Sequence, residues 1–263
     1  MIDLQYIRQF FPTTVANNPN FNKQMLKEYL QLMILEHLSH TDYASKVAFI
    51  GGTNLRLLRH IDRFSEDLDF DCHQLSEADF MTMTDDVVVF LQQMGLKIET
   101  RDRQNARLTA YRRNLYFPEL LFDMGLTGHR EERFLIKIEA QDQKVEYRPE
   151  VKYINGCGKF FPIQVPPDSV LCAMKITALL TRSKGRDFYD AMFLLGLGIE
   201  PDYAFLQQRT GITNKEELKQ EIIKDIAELS IEEKTKSADD IQGKIDKLEQ
   251  RKLKLIDIRL ADE

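Results

Sequence analysis

A chain of 263 residues with 43% apolar and 30% charged side chains can bury one large core or two modest ones, which excludes wholesale disorder. Its formal net charge of −6 excludes a protein that coats nucleic acid through a general basic surface, so any such contact needs a local patch. Cys72, Cys157 and Cys172 are too few and too widely spaced for a disulfide framework or a zinc knuckle. No apolar run reaches bilayer length, and the opening MIDLQYIRQFFPTT lacks the basic end and cleavage site of a signal peptide. A cytoplasmic location with no membrane contact is therefore expected.

Met25, Tyr29, Met33 and His37, together with Leu26, Leu30 and Ile34, recur at helical spacing and predict a helix over residues 20–38. The apolar run Val47-Ala48-Phe49-Ile50 then meets Gly51-Gly52, as a buried strand meets a glycine turn, and a helix is expected over 53–59. Residues 67–72 alternate acid and apolar, the period of a strand. Ser76 and Asp79 have capping-box spacing, opening a helix that Gly95 should close. Strands are predicted at 96–100, 108–117 and 133–141, and at 160–165 despite Pro162. After Pro166-Pro167 the pattern turns helical: 168–180 with Asp168 or Ser169 as cap, 188–197, 202–209, 216–229, and a charged stretch from 239 onward. The expected architecture is α+β: an N-terminal domain over 1–165 and a helical domain over 166–263.

The chemistry concentrates in residues 49–71, F-I-G-G-T-N-L-R-L-L-R-H-I-D-R-F-S-E-D-L-D-F-D. Residues two apart on a strand face the same way, roughly 6.6 Å apart, so Asp67 and Asp69 project together while Leu68 and Phe70 enter the core. Such carboxylates repel each other unless a cation lies between them, and hard oxygen donors suit Mg²⁺ or Mn²⁺. Two such ions about 3.5–4 Å apart activate a hydroxyl and steady a leaving pyrophosphate. Gly51 and Gly52 open a helix, where free N–H groups and the helix dipole favour phosphate. Thr53 or Asn54 adds a donor there, and Arg63 and Ser65 stand within reach. An EF-hand starting at Asp67 would need Gly and Glu where Cys72 and Ala78 stand. There is no GxxxxGK[ST] and no HExxH, and Phe161 breaks a dinucleotide fingerprint begun by Gly156 and Gly158.

This stretch resembles the signature of the AbiEii/AbiGii toxin family of nucleotidyltransferases, in the DNA polymerase β-like superfamily. Its pattern of strand, GGT, helix and R-F-S-E-D-L-D-F stands here as Gly51-Gly52-Thr53 and residues 63–70. The resemblance continues through I-L-E-H-L, through L-I-K-I-E and through K-I-T-A-L-L-T-R-S-K-G-R-D-F-Y-D, covering most of residues 25–197. It implies a nucleotidyltransferase-type domain with a mixed β-sheet flanked by helices, followed by a helical domain. It also implies transfer of NMP from an NTP, with Mg²⁺ or Mn²⁺, to an RNA end (tRNA included) or a protein hydroxyl, and a toxin checked by a separately encoded antitoxin.

Glu139 matches the family's third carboxylate, and Lys175, Arg182, Arg186, Asp187 and Asp190 match its later block. Read on their own, Lys137 and Glu139 share one strand face, opposite Ile136 and Ile138. Lys175 and Arg182 share a helix face that can hold triphosphate oxygens. Asp187 reads as a helix N-cap, and Asp190 as a partner that orients Lys175 or Arg186. The expected metal ligands are Asp67, Asp69 and Glu139, with Lys175 and Asp190 completing the catalytic set. Gly51, Gly52, Thr53, Arg63, Ser65, Lys175 and Arg182 are the expected nucleotide-binding residues. Residues 101–113 carry Arg101, Arg103, Arg107, Arg112 and Arg113 with Tyr111, a candidate RNA patch or a surface for an acidic antitoxin. A small-molecule nucleotidyltransferase and a non-catalytic NTP-binding regulator are the competing readings.

Overall fold

A computed structural model describes residues 2–100, 110–182 and 184–228. The expected strand start at 108–109, Arg101, Arg103 and Arg107 of the arginine-rich segment, and the charged stretch from 239 lie outside the described residues. The chain divides into two compact units, Met1–Pro166 and Pro167–Glu263.

The first unit begins with two short helices that the sequence pattern did not signal, α1 (Leu4–Arg8) and α2 (Thr13–Ala16). Asp3 caps α1, its carboxylate accepting from the Gln5 amide at 2.8 Å. The long α3 (Asn22–Ser39) is withdrawn from solvent around most of its circumference, with Met25, Leu26, Leu30, Leu32, Ile34 and Leu35 almost wholly buried and Glu28 and Gln31 buried beside them. Such a helix runs inside the domain rather than over its surface. It is followed by β1 (Val47–Ile50), α4 (Gly51–Arg59) and β2 (Asp67–Cys72). Helix α4 opens at Gly51, two residues earlier than the pattern suggests.

Helix α5 (Glu77–Gln93) shows both expected ends. Ser76 and Asp79 form a reciprocal capping box, and Gly95, at φ +84°, ends the helix. The Gly95 amide bonds the Gln92 carbonyl and the Leu96 amide the Leu91 carbonyl, so carbonyls of the last turn are satisfied in a Schellman arrangement. The unit continues with β3 (Glu99–Thr100), β4 (Tyr111–Tyr116), α6 (Leu120–Asp123), β5 (Leu135–Gln141), β6 (Glu150–Gly156) and β7 (Lys159–Val165).

Five strands form one mixed sheet in the order β1-β2-β5-β4-β3; β2 and β5 run parallel and the other neighbours antiparallel. Its buried face carries Phe49, Leu68, Phe70, Ile136, Ile138 and Leu115 into the core. Strands β6 and β7 form a separate hairpin sheet. The pattern misses β6 because its apolar Val151 and Tyr153 face outward, each 59% exposed, while Lys152 takes an inner position. Pro162 is tolerated in β7, which among the described residues pairs only with β6 and needs no donor on its other side.

The second unit is helical as far as it is described: α7 (Asp168–Arg182), α8 (Gly185–Gly196), α9 (Tyr203–Thr210) and α10 (Lys215–Glu228). Val170, Leu171, Ala173, Ile176 and Leu179 of α7 are buried, as are Ala191, Leu194, Phe205 and Leu206 from α8 and α9. Asp202 caps α9 through the Phe205 amide at 2.8 Å, and Gly211, at φ +82°, ends it. Asp187 is not the N-cap of α8. Lys184 holds that position, and its carbonyl accepts from the Asp187 and Phe188 amides. Asp187 therefore lies in the first turn of the helix, three residues past the cap, where Arg182 takes its carboxylate. Among the described residues, no helix is long and apolar enough to cross a membrane.

Candidate active site

Strand β2 lies inside the sheet, between β1 and β5. Its side chains alternate over the first four residues: Leu68 and Phe70 are buried, while Asp67 and Asp69 stand half-buried on the other face. The parallel register sets Asp69 beside Glu139 and Asp67 beside Lys137. Paired strands lie about 4.8 Å apart, so the three carboxylates line one face of two adjacent strands. Two cations share that face. Lys137 Nζ lies 3.0 Å from Asp67 Oδ2 and 3.2 Å from Glu139 Oε2. Arg112, opposite Glu139 in the β4–β5 register, donates to Glu139 Oε1. Partial burial works against the Lys137 charge, but hydrogen bonding and attraction to Asp67, then Glu139, outweigh it and raise its pKa.

The glycine turn packs against these acids. Gly51 adopts φ +81°, and a side chain there would press on Asp69, its Cβ falling 2.8 Å from the Asp69 Cβ. A Cβ on Gly52 would fall 2.6 Å from Arg63 Nη2 and 2.7 Å from Ser65 Oγ. Gly51 is thus required by its left-handed backbone and the close approach of Asp69, while Gly52 lies against Arg63 and Ser65, so the two halves of the 49–71 stretch form one packed element. Thr53, expected as a phosphate donor, is fully buried and donates its hydroxyl to the Asp67 carbonyl. Asn54 donates to the Phe49 carbonyl at 2.7 Å and accepts from Arg59 at 3.1 Å. These two side chains brace α4 against β1 and β2 instead of facing solvent. The Ser65 carbonyl accepts from Gln31 at 3.2 Å, tying this loop to α3.

Asp71 continues the same alternation but was not picked out from sequence. It is fully buried and accepts from Tyr147 Oη at 2.6 Å and from the Gln143 amide at 2.9 Å. Burial pushes its carboxyl up, opposed by those two hydrogen bonds. It anchors the segment that follows β5. Lys137 and Arg112 were likewise not assigned to the site; the signal for Lys137 was its shared face with Glu139. The candidate arginine patch is not a patch at its described end. Successive strand residues face opposite sides, so Arg112 turns to Glu139 while Arg113, 6% exposed, turns beneath the sheet to Asp85 of α5.

In the second unit, α7 and α8 are joined by two ion pairs. Lys175 Nζ lies 2.9 Å from Asp190 Oδ2, with both residues buried. Arg182 Nη2 lies 2.8 Å from Asp187 Oδ1, the arginine half-exposed and the aspartate buried. Lys175 is thus a partner of Asp190, as one of the two sequence expectations had it.

Among the described residues, no three carboxylate, histidine or cysteine side chains are drawn together as a ready coordination shell. Asp67 and Glu139 close on Lys137 instead. In donor chemistry and strand register, Asp67, Asp69 and Glu139 nevertheless fit a hard divalent cation. Lys137 and Arg112 are the charges such an ion would meet there.

The nucleotidyl transferase AbiEii toxin family, described as a type IV toxin–antitoxin system, matches residues 33–254. No curated protein matches the chain. Among solved structures it is similar to JHP933 from Helicobacter pylori, at 23% identity and TM-score 0.45, over 65% of this chain and 65% of that one. The chain thus spans slightly less than two thirds of JHP933. It is also similar to MenT4, a nucleotidyltransferase toxin from Mycobacterium tuberculosis, at 15% identity and TM-score 0.48, over 94% of this chain and 97% of that one. The family match takes in the glycine turn, β2, Glu139 and the Lys175–Asp190 pair. On that match over most of its length, the chain belongs to the AbiEii family of nucleotidyltransferase toxins.

Proposed function

We propose that the protein transfers a nucleoside monophosphate from an NTP to a hydroxyl of RNA, tRNA included, or of a protein. In this reading it acts in the cytoplasm as a toxin checked by a separately encoded antitoxin. The observation that carries the reading is the β2–β5 register, which sets Glu139 beside Asp69 with Asp67 on the same face. Asp67, Asp69 and Glu139 would hold Mg²⁺ or Mn²⁺. When bound, such an ion neutralises triphosphate charge and makes the acceptor hydroxyl more acidic.

The acceptor oxygen attacks the α-phosphorus and its proton passes to water. The α–β bridging bond breaks, and its oxygen leaves with pyrophosphate. Gly51, Gly52, Arg63 and Ser65 form one packed turn beside the carboxylates and would receive phosphate there, with Thr53 fixing that turn to β2. Lys175 and Arg182 supply positive charge to the triphosphate, and Asp190 orients the Lys175 ammonium. The acceptor class follows from the family resemblance.

The test is incubation with each α-labelled NTP, total RNA and Mg²⁺, with Asp67→Asn as control. Label carried on RNA or protein by the wild type alone supports the reading. Label on a small molecule would make the protein a small-molecule nucleotidyltransferase. Binding of NTP without pyrophosphate release, with either metal, would make it a regulator.

A further inference from the structure

We propose that Lys137 is a resident counter-ion that a divalent cation must displace, and that it thereby sets the metal affinity of the site. The inference rests on the metal-dependent reading above and concerns what that reading leaves unassigned: why a lysine stands among the acids.

A lysine inside a sheet is an unfavourable choice unless its position is used. Lys137 sits on β5, an interior strand, between Ile136 and Ile138, whose side chains are fully buried on the opposite face. Its ammonium reaches Asp67 at 3.0 Å and Glu139 at 3.2 Å, so one cation bridges carboxylates from two strands. All three side chains are partly withdrawn from water, with 23%, 28% and 20% of their surface exposed. A surface pair of this kind adds about 0–1 kcal/mol to stability, too little to account for its place. Its electrostatic effect on the acids is larger in kind, because it relieves the repulsion that a row of carboxylates would suffer alone.

The same oxygens that Lys137 holds are those a hard cation needs. Lys137 engages Glu139 Oε2 while Arg112 engages Oε1, so both oxygens of Glu139 already have partners. An ammonium donates hydrogen bonds from a compact single charge and coordinates nothing. A divalent ion brings twice the charge to the same carboxylates, so the two compete for Asp67 and Glu139. The displacement costs the site part of its metal affinity. In return, the acids stay gathered whether or not metal is bound.

The test is Mn²⁺ binding to the full-length protein without NTP, followed by electron paramagnetic resonance of the free ion, with unfolding curves taken in chelator and in Mn²⁺. Lys137→Gln removes the competing charge; Lys137→Met replaces it if the glutamine variant fails to fold. Mn²⁺ should bind about tenfold more tightly to the uncharged variant, equivalent to ~1.4 kcal/mol. The variant should also melt lower in chelator and gain more from Mn²⁺ than the wild type does. Lys137→Arg keeps the charge and should remain within about twofold of wild-type affinity on the same scale. Unchanged or weaker Mn²⁺ binding in a folded uncharged variant overturns the inference while leaving the metal reading intact. So does a gain in Lys137→Arg equal to that in Lys137→Gln. If neither the wild type nor any Lys137 variant binds Mn²⁺, the metal reading falls, and this inference with it.

Discussion

The acid face of the sheet and the paired helices α7 and α8 both set lysine and arginine against aspartate or glutamate, but they do so in opposite ways. On the sheet, Asp67, Asp69 and Glu139 face Lys137 and Arg112, and one ammonium bridges two strands in partial contact with water. Between the helices, Lys175 meets Asp190 and Arg182 meets Asp187, each aspartate buried. Charges half in water can exchange partners at little cost, whereas a buried pair must stay whole. The first arrangement suits groups that are to take up a new ligand. The second suits groups that must hold one orientation.

The largest effect should come from the acids of β2. Asp67→Asn and Asp69→Asn preserve size and remove charge, so transfer should fall by roughly 10³-fold, or ~4 kcal/mol in barrier. The melting temperature should change little, since neither side chain is in the core. Labelled-nucleotide transfer and circular dichroism melts measure the two quantities, and near wild-type turnover in either variant would remove that acid from the site.

Next is Asp190→Ala, which leaves the buried Lys175 ammonium without its partner. Breaking such a pair costs about 3–5 kcal/mol, to be read from urea unfolding. Replacing both residues together with apolar ones should recover much of the loss. A single-variant loss under about 1 kcal/mol would mean the pair behaves like a surface one, erasing the contrast drawn above.

Gly51→Ala should cost an intermediate amount. The backbone is left-handed there and the new Cβ meets Asp69, so a destabilisation of about 1–3 kcal/mol is expected, with a matching loss of transfer. Stability loss with full activity would separate the glycine's fold role from Asp69. The smallest effect belongs to Arg112→Gln. Its ion pair is partly exposed, so stability should move by less than about 1 kcal/mol in the same unfolding assay. Transfer to RNA should persist, and its selective loss with NTP binding intact would return Arg112 to the acceptor surface.

What could be read in advance follows the range of the interactions. The pairing of Asp67 with Asp69, the capping box at Ser76 and the turn at Gly95 are local consequences of strand and helix periods, and all are present. The α+β class followed from the same periods. Glu139 came only through the family resemblance, because its place depends on a parallel register with a strand some seventy residues earlier. No local pattern encodes that register. Arg112 and Arg113 read as a basic cluster because composition ignores which way each side chain points. Asp187 read as a cap because aspartates favour helix starts, yet Arg182 in the preceding helix had a stronger use for it. Strand β6 escaped because its apolar residues face outward.

The packing of the glycine turn has a further consequence, for chain length. Gly51 touches Asp69, Gly52 touches Arg63 and Ser65, and Thr53 grips the Asp67 carbonyl, so the segment between them is closed at both ends like a clasp of fixed circumference. From Asp67 to Phe70, side chains on β2 alternate between the half-buried acid face and the core. Losing or gaining one residue between Thr53 and Asp67 would leave the clasp a choice of two failures. It could keep its grip and turn Leu68 and Phe70 outward as the acids turn into the core, or keep the core and release the turn. The stretch between Thr53 and Asp67, which is helix α4 and the turn after it, is therefore a measured length with almost no tolerance for insertion.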